Sequence, residues 1–498
     1  MLFNSIEFLF FFPIVVLVYF ILPKRIKQYW LLISSYFFYM CWNVRYAALI
    51  FFSTVVTYFS GIILDKIKQY MWNDCRKLKY EKLVVACGFS LNLLVLFYFK
   101  YINFVFDIVN SLFRAIHLEL YVPAFDIILP VGISFYTFQA LSYTMDVYRG
   151  EINAERNFFR YALFVSFFPQ LVAGPIERSK NLLKQLEEPK KFNVEMAENG
   201  ILLMLWGYFL KIVLADRIAI FVDTVYSEYT VYAGWYLIVA TMLFAIQIYC
   251  DFYGYSVIAM GAASILGIHL MENFNAPYLS TSVAEFWRRW HISLTSWLKD
   301  YLYIPLGGGR KGNARKYLNK LCVFLVSGLW HGAEMSFVIW GGINGLYQII
   351  GEVLKPARDK IVSLLHLNRE TLGHKLLQMT GTFLLVDFSW IFFRAKKLED
   401  AFEIIKQMFC IHNPWILFDS SLYNCGLDIK NFELMLICIC ILFFADCCRM
   451  KKIRIREIVS KQDSWFKCIF VASVTWFAIT FGVWGSVYSE ANFIYFQF

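Results

Sequence analysis

Charge is what this sequence has least of. Asp, Glu, Lys and Arg make up 17% of its residues, where a soluble globular chain carries about a quarter. The shortfall excludes a string of soluble domains, which at this length would also show polar linkers. None is visible along the 498 residues. Metal-ligand spacing is missing as well. Twelve cysteines are present, but there is no repeated CxxC and no Cys/His cluster at ligand spacing, so no metal is expected. Cys87, Cys250, Cys322, Cys438 and Cys440 lie inside apolar runs and read as buried thiols. Neither a GxSxG elbow nor an HExxH pair occurs, which removes the serine-hydrolase and zincin readings. The N-terminus has no basic leader and no small-residue cleavage site. Residues 6–22 are therefore expected to be a first spanning helix rather than a removed signal peptide.

In place of charge there is apolar and aromatic surface. Hydrophobic residues reach 59%, aromatics 19%, and mean hydropathy is +0.54. Crossing a bilayer takes about 20 mostly apolar residues. Suitable runs lie near 6–22, 29–44, 46–64, 83–106, 127–148, 199–222, 234–258, 317–331, 333–353, 373–393, 431–448 and 466–487. Some are short enough to be broken or re-entrant, and about 11 true crossings are expected. The pattern predicts an all-α polytopic membrane protein, one membrane domain over 1–498. Its catalytic region is expected over about 127–353, with C-terminal helices over 373–498. The stretch 398–410 is amphipathic and a poor spanner.

The charge that remains is positive, formally +10, and gathers in short loops. Lys24, Arg25 and Lys27 form one group, Lys66, Lys68, Arg76, Lys77, Lys79 and Lys82 a second, and Arg449, Lys451, Lys452, Arg454, Arg456 and Lys461 a third. Basic loops face the cytoplasm and its lipid headgroups, which puts both termini outside. No base-stacking module accompanies the charge, so nucleic acid is not expected as a partner.

Two stretches do not read as lipid-facing spans. Residues 160–182 contain Phe167-Phe168-Pro169-Gln170-Leu171-Val172-Ala173-Gly174-Pro175, apolar but broken by two prolines. Residues 262–316 mix Asn273, Asn275, Glu285, Arg288, Arg289, His291, Lys299, Asp300 and Arg310 with Trp287, Trp290 and Trp297, as re-entrant or interfacial helices would. Non-helical backbone at membrane depth must be buried in protein or line a wet cavity.

His331 is the first candidate for chemistry. It lies in Ser327-Gly328-Leu329-Trp330-His331-Gly332-Ala333, between two apolar runs. Ionisable groups inside a membrane are costly and face a bundle interior or an aqueous path. A neutral imidazole can take a proton from a hydroxyl near pH 7; packing alone would also account for it. His291 is the second, in Phe286-Trp287-Arg288-Arg289-Trp290-His291. Arg288 and Arg289 read either as an interfacial anchor or as ligands of a donor's phosphates, with His291 orienting a group near His331. Asp300 and the run Gly307-Gly308-Gly309-Arg310-Lys311 follow, a backbone nest for phosphate or a plain turn. Asp251 is a carboxylate inside an apolar span and needs a partner or a proton. Gln139 and Asp146 read as interhelical glue or cavity lining. His117, His269, His366, His374 and His412 read as surface or loop residues.

Taken together, Val131–Gly150, Pro169–Pro175, Gln247–Tyr255, Phe286–Gly309, Ser327–Ala333 and the ending Asn492-Phe493-Ile494-Tyr495-Phe496-Gln497-Phe498 resemble the membrane-bound O-acyltransferase family. The likeness is to its bacterial branch that O-acetylates polysaccharides such as alginate, and it covers nearly the whole chain. The resemblance implies a ring of tilted helices around a central tunnel, in a bacterial inner membrane. It matches His331 to the family's invariant histidine and His291 to its second polar position. Arg288, Arg289, Asp300, Gln139, Asp251 and Trp330 become candidate tunnel or donor-binding residues. It also implies acetyl-CoA as donor, no tightly bound cofactor, a polysaccharide acceptor, and a separate extracytoplasmic or membrane-anchored SGNH-type acetyltransferase as partner. His331 then either deprotonates a hydroxyl or carries the acetyl transiently. Tyr495 would dock the partner, line the exit, or serve only as an interfacial anchor. D-alanyl transfer to teichoic acid is the neighbouring alternative. A polytopic transporter or flippase, with His331 and Asp251 as a proton relay, is the alternative from another class; no inverted repeat supports it.

Overall fold

The computed structural model describes residues 1–70, 74–171 and 174–484, and every regular element among them is helical. That is the outcome a hydrocarbon solvent imposes, because helices satisfy their backbone groups within one segment. The C-terminal motif at 492–498, with Tyr495, lies outside the described residues. Each apolar run falls largely on a helix. Among the described residues six helices are long and apolar enough to cross a membrane: Val44–Tyr70, Asp74–Ala115, Trp235–Ile265, Leu372–Arg394, Ile429–Met450 and Ser464–Phe481. Met335–Val353 and Lys355–Leu364, bent by 49°, make a seventh if taken as one span. Ile6–Ile21 is apolar but only 16 residues long. The chain is therefore an all-α multi-pass membrane protein, with six or seven spans by length and composition among the described residues against the about 11 expected from hydropathy. The other apolar runs form helices that are short, interrupted or, like Asn313–His331 with its Arg315, Lys316 and Lys320, more charged. The run 199–222 passes through the π-helical turn Phe209–Ala215, which holds Lys211 and is followed by Asp216 and Arg217.

The run at 127–148 begins later than its hydropathy suggests. Residues 117–132 are non-helical, and the helix is Ile133–Arg149. Pro130 disfavours a helical residue before it, and Gly132 takes a left-handed conformation, φ 73°, that favours glycine.

Two compact units are present, Met1–Ile201 with Ala259–Met271, and Leu202–Ile258 with Glu272–Phe498. In the first, the helix Ile133–Arg149 is buried along almost its whole length. It packs on Val44–Tyr70, which buries Ser53, Thr54, Thr57, Ser60 and Gly61. Small side chains at these spacings let membrane helices approach closely. A Cβ at Gly61 would lie 2.6 Å from the Tyr143 hydroxyl. Gln139 donates to the carbonyl of Phe164 at 2.6 Å, and Ser179 to Asp146 at 2.5 Å. Within this unit both polar residues bridge neighbouring helical segments.

Trp235–Ile265, whose residues through Ile258 belong to the second unit, is the most enclosed span, with 78% of its apolar window buried. Ser464–Phe481, at 6%, is peripheral. Beside the central helix runs the segment through Phe209–Ala215, and a Cβ at Gly254 would sit 2.9 Å from the Gly207 carbonyl oxygen. The polar stretch after it becomes two seven-residue helices, Val283–Arg289 and Ile292–Leu298. A hairpin of Asn313–His331 and Met335–Val353 follows, against which Leu372–Arg394 packs. Leu398–Cys410 is helical, burying Ala401, Ile404 and Met408 on one face as the amphipathic pattern predicts.

Candidate active site

The hairpin fixes His331. Its helices meet at Gly328 and Gly341, where a Cβ added to Gly341 would come within 3.3 Å of the Gly328 Cα and collide with the Phe324 carbonyl. Backbone-to-backbone packing of this kind leaves the end of Asn313–His331 no freedom to slide. Gly332, in extended backbone, continues the constraint, because any side chain there would run into the Phe337 ring. His331 is the last residue of the helix and 4% exposed. Trp330, Trp340 and Phe393 wall it with ring-centroid distances of 4.9, 5.2 and 5.4 Å. Trp340 is itself stacked on Trp390 at 5.6 Å.

His291 approaches from the short helices. It occupies the junction between Val283–Arg289 and Ile292–Leu298 in a left-handed conformation, φ 41°, and is 1% exposed. Its ring lies 4.6 Å from Phe252, 5.9 Å from Trp330 and 6.3 Å from the ring of His331. Burial pushes the His291 imidazole down to about 3, so it is neutral across the physiological range. The two histidines that the sequence singled out forty residues apart thus share one aromatic enclosure, with Trp330 against both. A pair of buried imidazoles at this separation offers one group to take a proton and another to orient a carbonyl.

The other expected site residues divide. Arg289 pairs with Glu285 at 2.6 Å and also meets the Met450 sulfur, whereas Arg288 is exposed. Trp287 donates to Asn344 at 3.3 Å, and Trp290 is buried among Phe274, Phe286 and Trp390. Asp300 is half-buried on the π-helical turn Lys299–Tyr303. Asp251 has a partner in Lys211 at 2.6 Å, and Lys211 also holds Asp216 at 2.8 Å. Gln139 belongs to the first unit, where it binds the Phe164 backbone. Among the described residues no group of three or more His, Cys, Asp or Glu could hold a metal ion.

Sequence reading missed Lys211, Trp340, Trp390 and Phe393. Lys211 carried a signal, a lone lysine within the apolar run 199–222. The aromatics carried none in a chain that is 19% aromatic.

The model of the membrane-bound O-acyltransferase family matches residues 151–386, which include both His291 and His331. The probable alginate O-acetylase AlgI of Pseudomonas syringae is 36% identical over 412 residues, 82% of this chain and 75% of that protein. The peptidoglycan O-acetyltransferase of Helicobacter pylori is 35% identical over 440 residues, 82% of this chain and 80% of its own. The teichoic acid D-alanyltransferase of Bacillus subtilis is 27% identical over 240 residues, 45% of this chain and 59% of its own. With relatives of this identity and extent, the chain is an O-acyltransferase and belongs to the membrane-bound O-acyltransferase family, in the branch of the alginate and polysaccharide O-acetylases.

Proposed function

We propose that this enzyme takes an acetyl group from cytoplasmic acetyl-CoA and passes it across the membrane for O-acetylation of a cell-surface or exported polysaccharide, through an extracytoplasmic SGNH-type partner. The observation that carries the reading is the pair of buried imidazoles 6.3 Å apart in an aromatic enclosure. In that setting His331 takes the proton of an acceptor hydroxyl as its oxygen attacks the thioester carbonyl, or carries the acetyl itself between donor and acceptor. The C–S bond breaks and the departing thiolate receives the proton. Neutral His291 hydrogen-bonds the carbonyl oxygen as charge develops on it. Trp330 shapes the space between them. Asp300 and Asp251 stay candidate tunnel residues, Asp251 through its pair with Lys211.

The exposed Arg288 is suited to the donor's phosphates, beside Arg289, which Glu285 holds at 2.6 Å. Their placement supports a cytoplasmic donor, since Arg289 meets Met450 at the start of the basic stretch 449–461, and basic loops face the cytoplasm. D-alanyl transfer is the second reading. The D-alanyltransferase relative covers 45% of this chain, against 82% for the acetylases, which favours acetyl.

The test is acyl transfer in membrane vesicles with labelled acetyl-CoA and the partner present. His331→Ala is expected to lower labelled ester outside by about 10²–10⁴-fold, the range for removing a general acid–base group. His331→Gln, closer in volume, should be equally inactive. Equal labelling by wild type and variants removes His331 from the chemistry, and labelling only from a D-alanyl carrier protein moves the assignment to the second reading.

A further inference from the structure

The helix Ile292–Leu298 starts without a cap of its own. The position that should supply one is His291, whose side chain makes no capping bond. The first amides of a helix have no partner inside it, and an N-cap Ser, Thr, Asp or Asn side chain ordinarily accepts one of them. Here Asn273 does so from a distant part of the chain. Its backbone carbonyl accepts the N–H of Ile292 at 2.9 Å. Its side-chain Oδ1 accepts the N–H of Ser293 at 3.3 Å, across a separation of twenty residues. Its Nδ2 donates to the hydroxyl of Ser256 on the central helix at 3.2 Å, which sets which way the amide faces. Close by, the N–H of Asn275 donates to the carbonyl of Arg289 at 3.0 Å. The strand of chain at 273–275 therefore grips the backbone on both sides of His291. Asn273 and Ser256 are each 1% exposed and Ser293 is fully buried, so water does not compete for these bonds.

The conformation held this way is an uncommon one. A left-handed backbone costs a non-glycine residue about 1–2 kcal/mol, and such strain persists only where the surroundings over-determine it. At His291 it directs the imidazole toward Phe252, Trp330 and His331. We propose that Asn273 is a positioning residue for His291. It caps Ile292–Leu298 in trans, which relieves His291 of the N-cap duty and fixes the left-handed backbone that aims its ring into the enclosure. Any effect on turnover rests on the participation of His291 proposed above; the positional claim stands on the geometry.

The experiment uses the full chain in membranes with three variants, Asn273→Ala, Asn273→Asp and Ser256→Ala. Two readouts are taken: diethyl pyrocarbonate modification of each histidine by mass spectrometry, with exposed His366 and His412 as internal references, and acetyl transfer. Asn273→Ala is expected to expose His291 to the reagent. It should also lower kcat by about 10²-fold with little change in KM, the cost of a misplacement of about 1 Å. Asn273→Asp keeps the Oδ1 acceptor and should restore part of the protection. If His291 stays as protected as in wild type in Asn273→Ala, the proposal is overturned whatever the activity does. If His291 becomes reactive while kcat holds, positioning stands and His291 leaves the chemistry. Should neither Asn273 variant reach the membrane, Ser256→Ala decides. It keeps both capping bonds but releases the amide to rotate, so greater reactivity at His291 supports the proposal and unchanged reactivity overturns it.

Discussion

Lys211 is the residue whose context most changes its meaning. In the sequence it is one cation in an apolar run; in the fold its ammonium lies between Asp216 at 2.8 Å and Asp251 at 2.6 Å, with all three side chains buried. Desolvating such ions is expensive, and their mutual attraction offsets the cost only while the set is complete. Lys211→Met takes the ammonium away from two buried carboxylates and is expected to destabilise by about 3–5 kcal/mol. Neutralising all three, with Lys211→Met, Asp216→Asn and Asp251→Asn together, should recover much of that loss. Thermal melts of the detergent-solubilised protein check both, and equal stability of the single variant and wild type would show that the triad does not hold the central helix. The His pair was legible for the same reason that makes this triad costly: polar groups are rare inside a membrane protein, so each one draws the eye. Asn273 was not legible as a cap, because its partners lie twenty residues away, and periodicity carries no information at that distance.

At the scale of elements, the hairpin Asn313–His331 with Met335–Val353 determines where His331 can be. Its tightness depends on which glycines face inward. A Cβ at Gly341 collides with the Phe324 carbonyl, whereas one at Gly342 meets only Leu325 Cδ2 at 3.7 Å, an ordinary contact. Gly341→Ala should therefore separate the helices, costing about 1–3 kcal/mol as overpacking does, and should depress acetyl transfer by displacing His331. Gly342→Ala should leave both unchanged or raise stability slightly, since alanine is the better helix former. Assaying the two side by side separates hairpin geometry from any general effect of glycine replacement. Equal loss in both would remove the close crossing as the explanation. The positions of the helices were readable from hydropathy, but their ends were less so. Ile133–Arg149 starts after Pro130 and Gly132, and Asp74–Ala115 continues through the charged stretch at 76–82. Hydropathy records the lipid-facing middle of a helix; capping and backbone conformation decide where it stops.

For the whole molecule the open quantity is which side of the membrane each end of the site faces. The basic stretch 449–461 joins two spanning helices, Ile429–Met450 and Ser464–Phe481. Six of its residues, from Arg449 to Lys461, are cationic, and translocating such a loop runs against the rule that Lys and Arg stay inside. Arg449 reaches Glu272 at 2.5 Å, and Arg289 meets Met450. The segment carrying Arg288, Arg289 and His291 is thus tied to this same end of the second unit. If the loop is cytoplasmic, the exposed Arg288 faces the compartment that contains acetyl-CoA, and the acetyl group enters there. A reporter fused after Gln462 should then fluoresce as green fluorescent protein and be inactive as alkaline phosphatase. One fused after Asp428, at the opposite end of Ile429–Met450, should behave in the reverse manner. Exchanged signals would place Arg288 outside, where there is no coenzyme A for it to bind, and the direction of transfer proposed here would have to be inverted.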